Sequence, residues 1–97
     1  MKLKITKGYK DKLNAQVKYI AKDKPMAARR FKNQLISQIK KIPEMPFGHR
    51  KSIFFNREDI RDLVFKGYIS VYKIDQNLQV IEVFGFNKYM DDLFDEF

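Results

Sequence analysis

The thirty residues from Ile60 to Tyr89, IRDLVFKGYISVYKIDQNLQVIEVFGFNKY, constrain the fold more than any other stretch of the chain. Val, Ile, Phe and Tyr dominate it, and Lys66-Gly67 and Asp75-Gln76-Asn77 interrupt it. β-Branched and aromatic residues broken by short turns predict a three-stranded antiparallel meander, with strands near Ile60–Phe65, Tyr68–Ile74 and Leu78–Phe86. A two-residue turn at Lys66-Gly67 pairs Phe65 with Tyr68, Leu63 with Ser70 and Arg61 with Tyr72. Val64 then pairs with Ile69 and Asp62 with Val71 on the other face. We expect Val64, Ile69 and Val71 to form the inner, core face. Arg61, Tyr68 and Tyr72 are expected on the face turned to a partner.

The residues before the meander carry helix signals. Tyr9, Leu13, Val17 and Ile20 recur at spacings of four, four and three, one helical stripe from about Tyr9 to Lys22. Asp23-Lys24-Pro25 breaks it, because proline disfavours helical backbone at Lys24 and suits the first turn of a new helix. Ala28, Phe31, Leu35, Ile39 and Ile42 give a second stripe from about Pro25 to Ile42. Two amphipathic helices with so short a link form an antiparallel hairpin. Pro43, Pro46 and Gly48 end helical structure. Ser52 to Asn56 is an apolar run that fits a strand or an ordered loop. At the start, Met1, Leu3 and Ile5 alternate with Lys2, Lys4 and Thr6, which predicts a strand at the sheet's edge, with Gly8 marking the turn into the helix.

The order is therefore β-α-α-β-β-β, an α+β fold with the helical hairpin packed on one face of a small antiparallel sheet. Ninety-seven residues are expected to make a single domain over residues 1–97. No helix-length stretch remains to cover the sheet's other face, so an open, partly apolar sheet face is a candidate binding surface.

Charge is distributed unevenly along this order. Residues 1–51 hold 15 Lys/Arg against 3 Asp/Glu, and residues 52–97 hold 5 against 9, giving +12 and −4 within a net +8. A basic half suits an anionic partner or a solvated lysine-rich exterior. The basic side of the second helix, with Arg29, Arg30, Lys32, Lys40 and Lys41, can be read either way. The chain has no Cys, hence neither a disulfide framework nor a thiolate metal site. No apolar run approaches a membrane span, and MKLKITKGYK has no signal-like apolar segment, so a cytoplasmic protein without membrane contact is expected. There is no Gly-rich phosphate loop, no His/Cys metal spacing and no nucleophile with an evident partner; no cofactor or metal is expected.

Two segments resemble a known family. YIAKDKPMAARRFKNQLISQIKKIPEMPFGHR is similar to the helical hairpin of the RelE/ParE superfamily, toxins of type II toxin–antitoxin modules. The shared features are Tyr19-Ile20-Ala21, Pro25-Met26-Ala27-Ala28, Phe31, and Pro43 or Pro46 before Gly48-His49-Arg50. IRDLVFKGYISVYKID resembles the family's Arg-containing strand, Gly-Tyr turn and Tyr-containing strand, here Arg61, Gly67-Tyr68 and Tyr72. The resemblance spans about Leu3 to Tyr89. It implies a small basic toxin neutralised by a cognate acidic antitoxin. Ribonuclease members cut messenger RNA on the ribosome with a cluster of cations on the open sheet face, and ParE-type members lack the cluster and poison DNA gyrase.

Metal-free RNA cleavage needs a base, an acid and cations for the developing phosphate charge. Aligned on Gly67-Tyr68, the positions of the family's two lysines and arginine hold Ile60, Asp62 and Ile69. None can supply a cation. The resemblance therefore implies a ParE-like toxin that inhibits growth by binding a target, plausibly DNA gyrase, and is not an enzyme. Arg50, Lys51, Arg61, Tyr68, Tyr72, Lys88 and Tyr89 are the expected target or antitoxin contacts. The alternatives are a ribosome-dependent mRNA endoribonuclease with a rearranged site at Arg61, Lys88 and Tyr89, or a non-toxic basic binding domain. His49, in a Pro/Gly-bounded loop, is expected at the surface.

Overall fold

In a computed structural model, described here over residues 1–88, Thr6 starts the helical layer. Its hydroxyl oxygen accepts the Tyr9 N–H at 3.2 Å, a side-chain cap that satisfies one of the orphan donors of a helix start. The first helix, α1, runs Lys7–Ala21 and the second, α2, runs Pro25–Lys40. Gly8 therefore lies inside the first turn of α1, and the turn itself is made by Thr6. Lys24 takes an extended φ of −135° ahead of Pro25, as the residue before proline must, and Pro25 occupies the first turn of α2. Two short 3₁₀ turns, Ile42–Glu44 and Pro46–Gly48, follow, and Ile42 belongs to the first of them rather than to α2.

Five strands form one sheet: β1 (Lys2–Ile5), β2 (Arg50–Lys51), β3 (Ile60–Phe65), β4 (Tyr68–Asp75) and β5 (Val80–Lys88). Their spatial order is β1-β5-β4-β3-β2. The β3–β4 register has Phe65 opposite Tyr68, Leu63 opposite Ser70 and Arg61 opposite Tyr72, as the two-residue turn dictates. Lys66 and Gly67 both have positive φ, 49° and 83°, the backbone of a type I′ turn. The sheet is mixed rather than wholly antiparallel, because β1 lies parallel to β5 at one edge. The second turn is longer than the sequence suggests: the Asp75 carboxylate accepts the Leu78 N–H at 3.0 Å, and β5 begins at Val80.

Tyr9, Leu13, Phe31, Leu35 and Ile39 of the hairpin bury against Leu63, Tyr72, Ile74, Ile81, Val83 and Phe86 of the sheet. Leu3 and Ile5 join from β1 while Lys2 and Lys4 stay exposed. This reverses the expected faces. Leu63, Tyr72 and their neighbours are the helix-covered core, and Val64, Ile69 and Val71 lie on the opposite side. There Ile60, Ile69 and Val71 form a smaller buried cluster with Phe84 against it, while Val64 is 43% exposed.

A bulge shapes that second cluster. The pairing slips between Val71 and Tyr72, so that Val71 faces Gly85 and Tyr72 faces Val83, with Phe84 as the extra residue. A Cβ on Gly85 would lie 3.2 Å from the Val71 Cβ and 3.3 Å from its Cγ2. A side chain there would force Val71 to give by a few tenths of an ångström.

Two outcomes follow for stability. Gly85→Val should cost about 1–3 kcal/mol by overpacking against Val71, read as a lowered urea midpoint with unchanged slope. Tyr9 is fully buried, with its hydroxyl 2.7 Å from Ser70 Oγ, and burial pushes its pKa up to about 12, the Ser70 bond acting in the opposite sense. Below pH 10 the phenol is neutral in both states. Above it the unfolded chain sheds a proton that the folded chain keeps, so stability falls by about 2 kcal/mol as pH rises to 12. Tyr9→Phe should lose less over the same window in denaturation curves measured at each pH.

Candidate functional site

Arg61 projects from β3 toward the segment that follows α2, and its side chain is 13% exposed. Its Nε donates to the Glu58 carbonyl at 2.9 Å and one Nη to the His49 carbonyl at 3.1 Å. The other Nη pairs with the Glu58 carboxylate at 2.9 Å. The guanidinium also lies 5.0 Å from the centre of the Phe47 ring. The ring that a cross-strand reading assigns to Arg61 is Tyr72; the ring it covers is Phe47. Arg61 thus ties the 47–49 segment to the 57–59 turn, with three of its five N–H donors bonded within the chain.

Tyr72 and Tyr68 are inward as well. Tyr72 has no exposed surface and donates its hydroxyl to the Pro46 carbonyl at 2.6 Å. Burial drives its pKa upward, with Arg61 opposing. An outward, partner-facing Tyr72 is therefore ruled out by the position of the helix layer. Tyr68 is half-buried, stacks on Phe86 with ring centres 5.3 Å apart, and accepts from the Gln16 amide at 2.8 Å. The ring serves to pack α1 on the sheet.

The three positions that the resemblance matches to cations of ribonuclease members are closed to solvent. Ile60, Asp62 and Ile69 are 4%, 1% and 0% exposed. One Asp62 oxygen accepts the Ile53 N–H at 2.9 Å and meets the Arg50 guanidinium at 3.5 Å. Its Oδ1 is buried without a hydrogen-bond partner among the described residues. The carboxylate is a post that holds the 52–55 loop against β3. With the loop so held, Ile53, Phe54 and Phe55 are exposed, and Phe55 meets Phe84 edge-on at 5.9 Å. Met45 and Phe47 are also exposed. Sequence reasoning reads Ser52 to Asn56 as an apolar strand or ordered loop and does not place it among the contact residues, although Ile53-Phe54-Phe55 inside a polar stretch is the signal for it. The run is a turn; the edge strand β2 lies before it, at Arg50–Lys51.

The remaining candidates do not converge on one point. Arg50 and Lys51 are exposed on β2, where Lys51 lies 3.5 Å from Glu58. Lys88, exposed at the end of β5, is in register with Tyr68. Tyr89 and the acidic tail lie outside the described residues. His49 is half-buried, edge-on to Tyr72 at 6.0 Å, and burial lowers its pKa. Among the described residues no three His, Cys, Asp or Glu side chains are grouped to hold a metal, and no helix is long and apolar enough to cross a membrane.

This arrangement, a β-α-α hairpin on a meander, agrees with comparison to known proteins. A family model described as "ParE toxin of type II toxin-antitoxin system, parDE" matches residues 3–92. The chain belongs to the ParE toxin family. A solved structure titled "Chromosomal ParDE TA system from P. aeruginosa" superposes with a TM-score of 0.76. The match covers 92% of this chain and 96% of that one at 15% sequence identity, a likeness of fold. A search of curated proteins found no match.

In this ParE-family chain the Asp62 post is the testable element of the surface. Asp62→Ala removes the acceptor of the Ile53 N–H and the partner of Arg50, and should cost about 1–3 kcal/mol. Amide exchange at Ile53 should rise more than exchange in α2, because the loop loses its anchor while the hairpin keeps its core.

Proposed function

We propose that this ParE-family chain is a toxin that acts by binding, with DNA gyrase as the target and a cognate acidic antitoxin as the neutralising partner. The observation that supports the reading is the filling of the three ribonuclease positions by Ile60, Asp62 and Ile69, all buried. Buried aliphatic groups and a carboxylate cannot stabilise charge on a phosphate. The relative from P. aeruginosa is described as a ParDE toxin–antitoxin system, which favours a paired antitoxin here. On this reading the exposed cations Arg50, Lys51 and Lys88 and the apolar segment at Phe47 and Ile53–Phe55 supply the contacts. Apolar anchors within a charged rim are what a protein interface requires.

The competing reading, an endoribonuclease using Arg61, Lys88 and Tyr89, asks Arg61 to abandon its bonds to Glu58 and His49. The two separate in one pair of assays. The purified chain should inhibit gyrase-catalysed supercoiling and leave messenger RNA on ribosomes intact, and co-purified antitoxin should restore supercoiling. Ribosome-dependent cleavage abolished by Lys88→Ala would establish the nuclease instead. Growth unaffected by controlled expression would indicate a non-toxic binding domain.

A further inference from the structure

The helix layer carries a charge excess that the proposed contacts leave unused. Residues 7–41 hold 11 Lys/Arg against Asp11 and Asp23 alone. Asp11 is taken by Lys7 at 3.1 Å. Burial of the apolar stripes on the sheet leaves the cations on the outer side. Two hollows along α2 adjoin at Lys32 and Ile36, which line both, and are together called the trough. Its cations are Lys10 from α1, Lys32 and Lys40 from α2, and Lys41 just beyond. Asn14, Asn33 and Ser37 add neutral donors, and no carboxylate lines either hollow. Lys32 donates to Asn14 at 3.0 Å across the helices.

We propose that this trough binds the phosphate backbone of duplex DNA without reading its sequence. Four lysines and no acid make a strip of positive potential that only a polyanion matches. Lys32 and Lys40 are eight residues apart, about 12 Å along the helix axis. A duplex presents about seven phosphates over that length, enough for every lysine in the trough. Lysine rather than arginine lines it, so the contacts are point charges and not the bidentate forks that read guanine. Single-stranded nucleic acid would need a ring to stack on, and the one aromatic residue at the trough, Tyr9, is fully buried. The site lies on the helix layer, apart from the exposed segment at Ile53–Phe55, and it stands whether or not gyrase is the target.

The test uses the full chain and a fluorescein-labelled 20-base-pair duplex, followed by anisotropy between 50 and 200 mM salt. Four phosphate contacts predict a log–log slope of about −3.6. The triple variant Lys10→Gln, Lys32→Gln, Lys40→Gln should bind at least tenfold more weakly and make the slope shallower by about 2.7. Lys12→Gln, Lys22→Gln, Lys24→Gln removes the same charge elsewhere and should bind within twofold of the parent. Should the first triple fail to fold, Lys40→Gln alone, at an exposed position, should make the slope shallower by about 0.9. Equal losses from the two triples would overturn the site, since net charge alone would then account for binding. Tighter binding to a single-stranded RNA 20-mer, or to phosphatidylserine vesicles, would overturn duplex DNA as its ligand.

Discussion

The structure depends on one burial: the apolar stripes of the helical hairpin against Leu63, Tyr72, Ile81 and Val83 of the sheet. Tyr9, Leu35 and Ile39 are fully enclosed there. Burying side chains of this size stabilises by about 1.5–3 kcal/mol each, so the hairpin has one orientation in which it is held. That orientation fixes the rest. It puts the cations of α1 and α2 outside, turns Tyr68 and Tyr72 inward, and leaves the opposite sheet face to be covered by a loop rather than a helix.

Much of this could be read from the residues, and the failures have physical causes. The β3–β4 register followed from Lys66-Gly67, because a two-residue turn admits one pairing. The hairpin followed from two stripes and Pro25. The sheet's faces were read in reverse because both sides of β3 and β4 are apolar: Leu63, Phe65 and Tyr72 on one, Ile60, Val64, Ile69 and Val71 on the other. Alternation cannot choose between two apolar sets. The deciding residues were Lys73 and Glu82, which face each other across β4 and β5 on the outer side and so assign Tyr72 and Ile81 inward. Parallel pairing of β1 with β5 joins residues 78 apart in sequence, beyond what local pattern specifies.

The site was legible in what it lacks and illegible in what it shows. The resemblance sets Ile60, Asp62 and Ile69 where ribonuclease members carry cations, and the structure adds that these side chains are buried. Arg61 looked available because charge is visible in a sequence and its partners are not. Glu58 is three residues away, but the His49 carbonyl and the Phe47 ring come from across β2. The exposed Ile53–Phe55 run has no period to follow, since its placement rests on the Asp62 carboxylate beneath it and on the Ser52 N–H bonded to the Ile60 carbonyl.

The parallel pairing of β1 with β5 also sets the order in which the chain can fold. During synthesis β1 and both helices emerge long before Val80–Lys88. Until β5 is made, β1 lacks its hydrogen-bonding partner and the hairpin lacks Ile81, Val83 and Phe86. The nascent chain therefore spends most of its synthesis with an uncovered apolar hairpin, and contacts so distant in sequence close slowly. A ligand that covers the stripe during that interval would act on folding itself, ahead of any effect on the finished toxin.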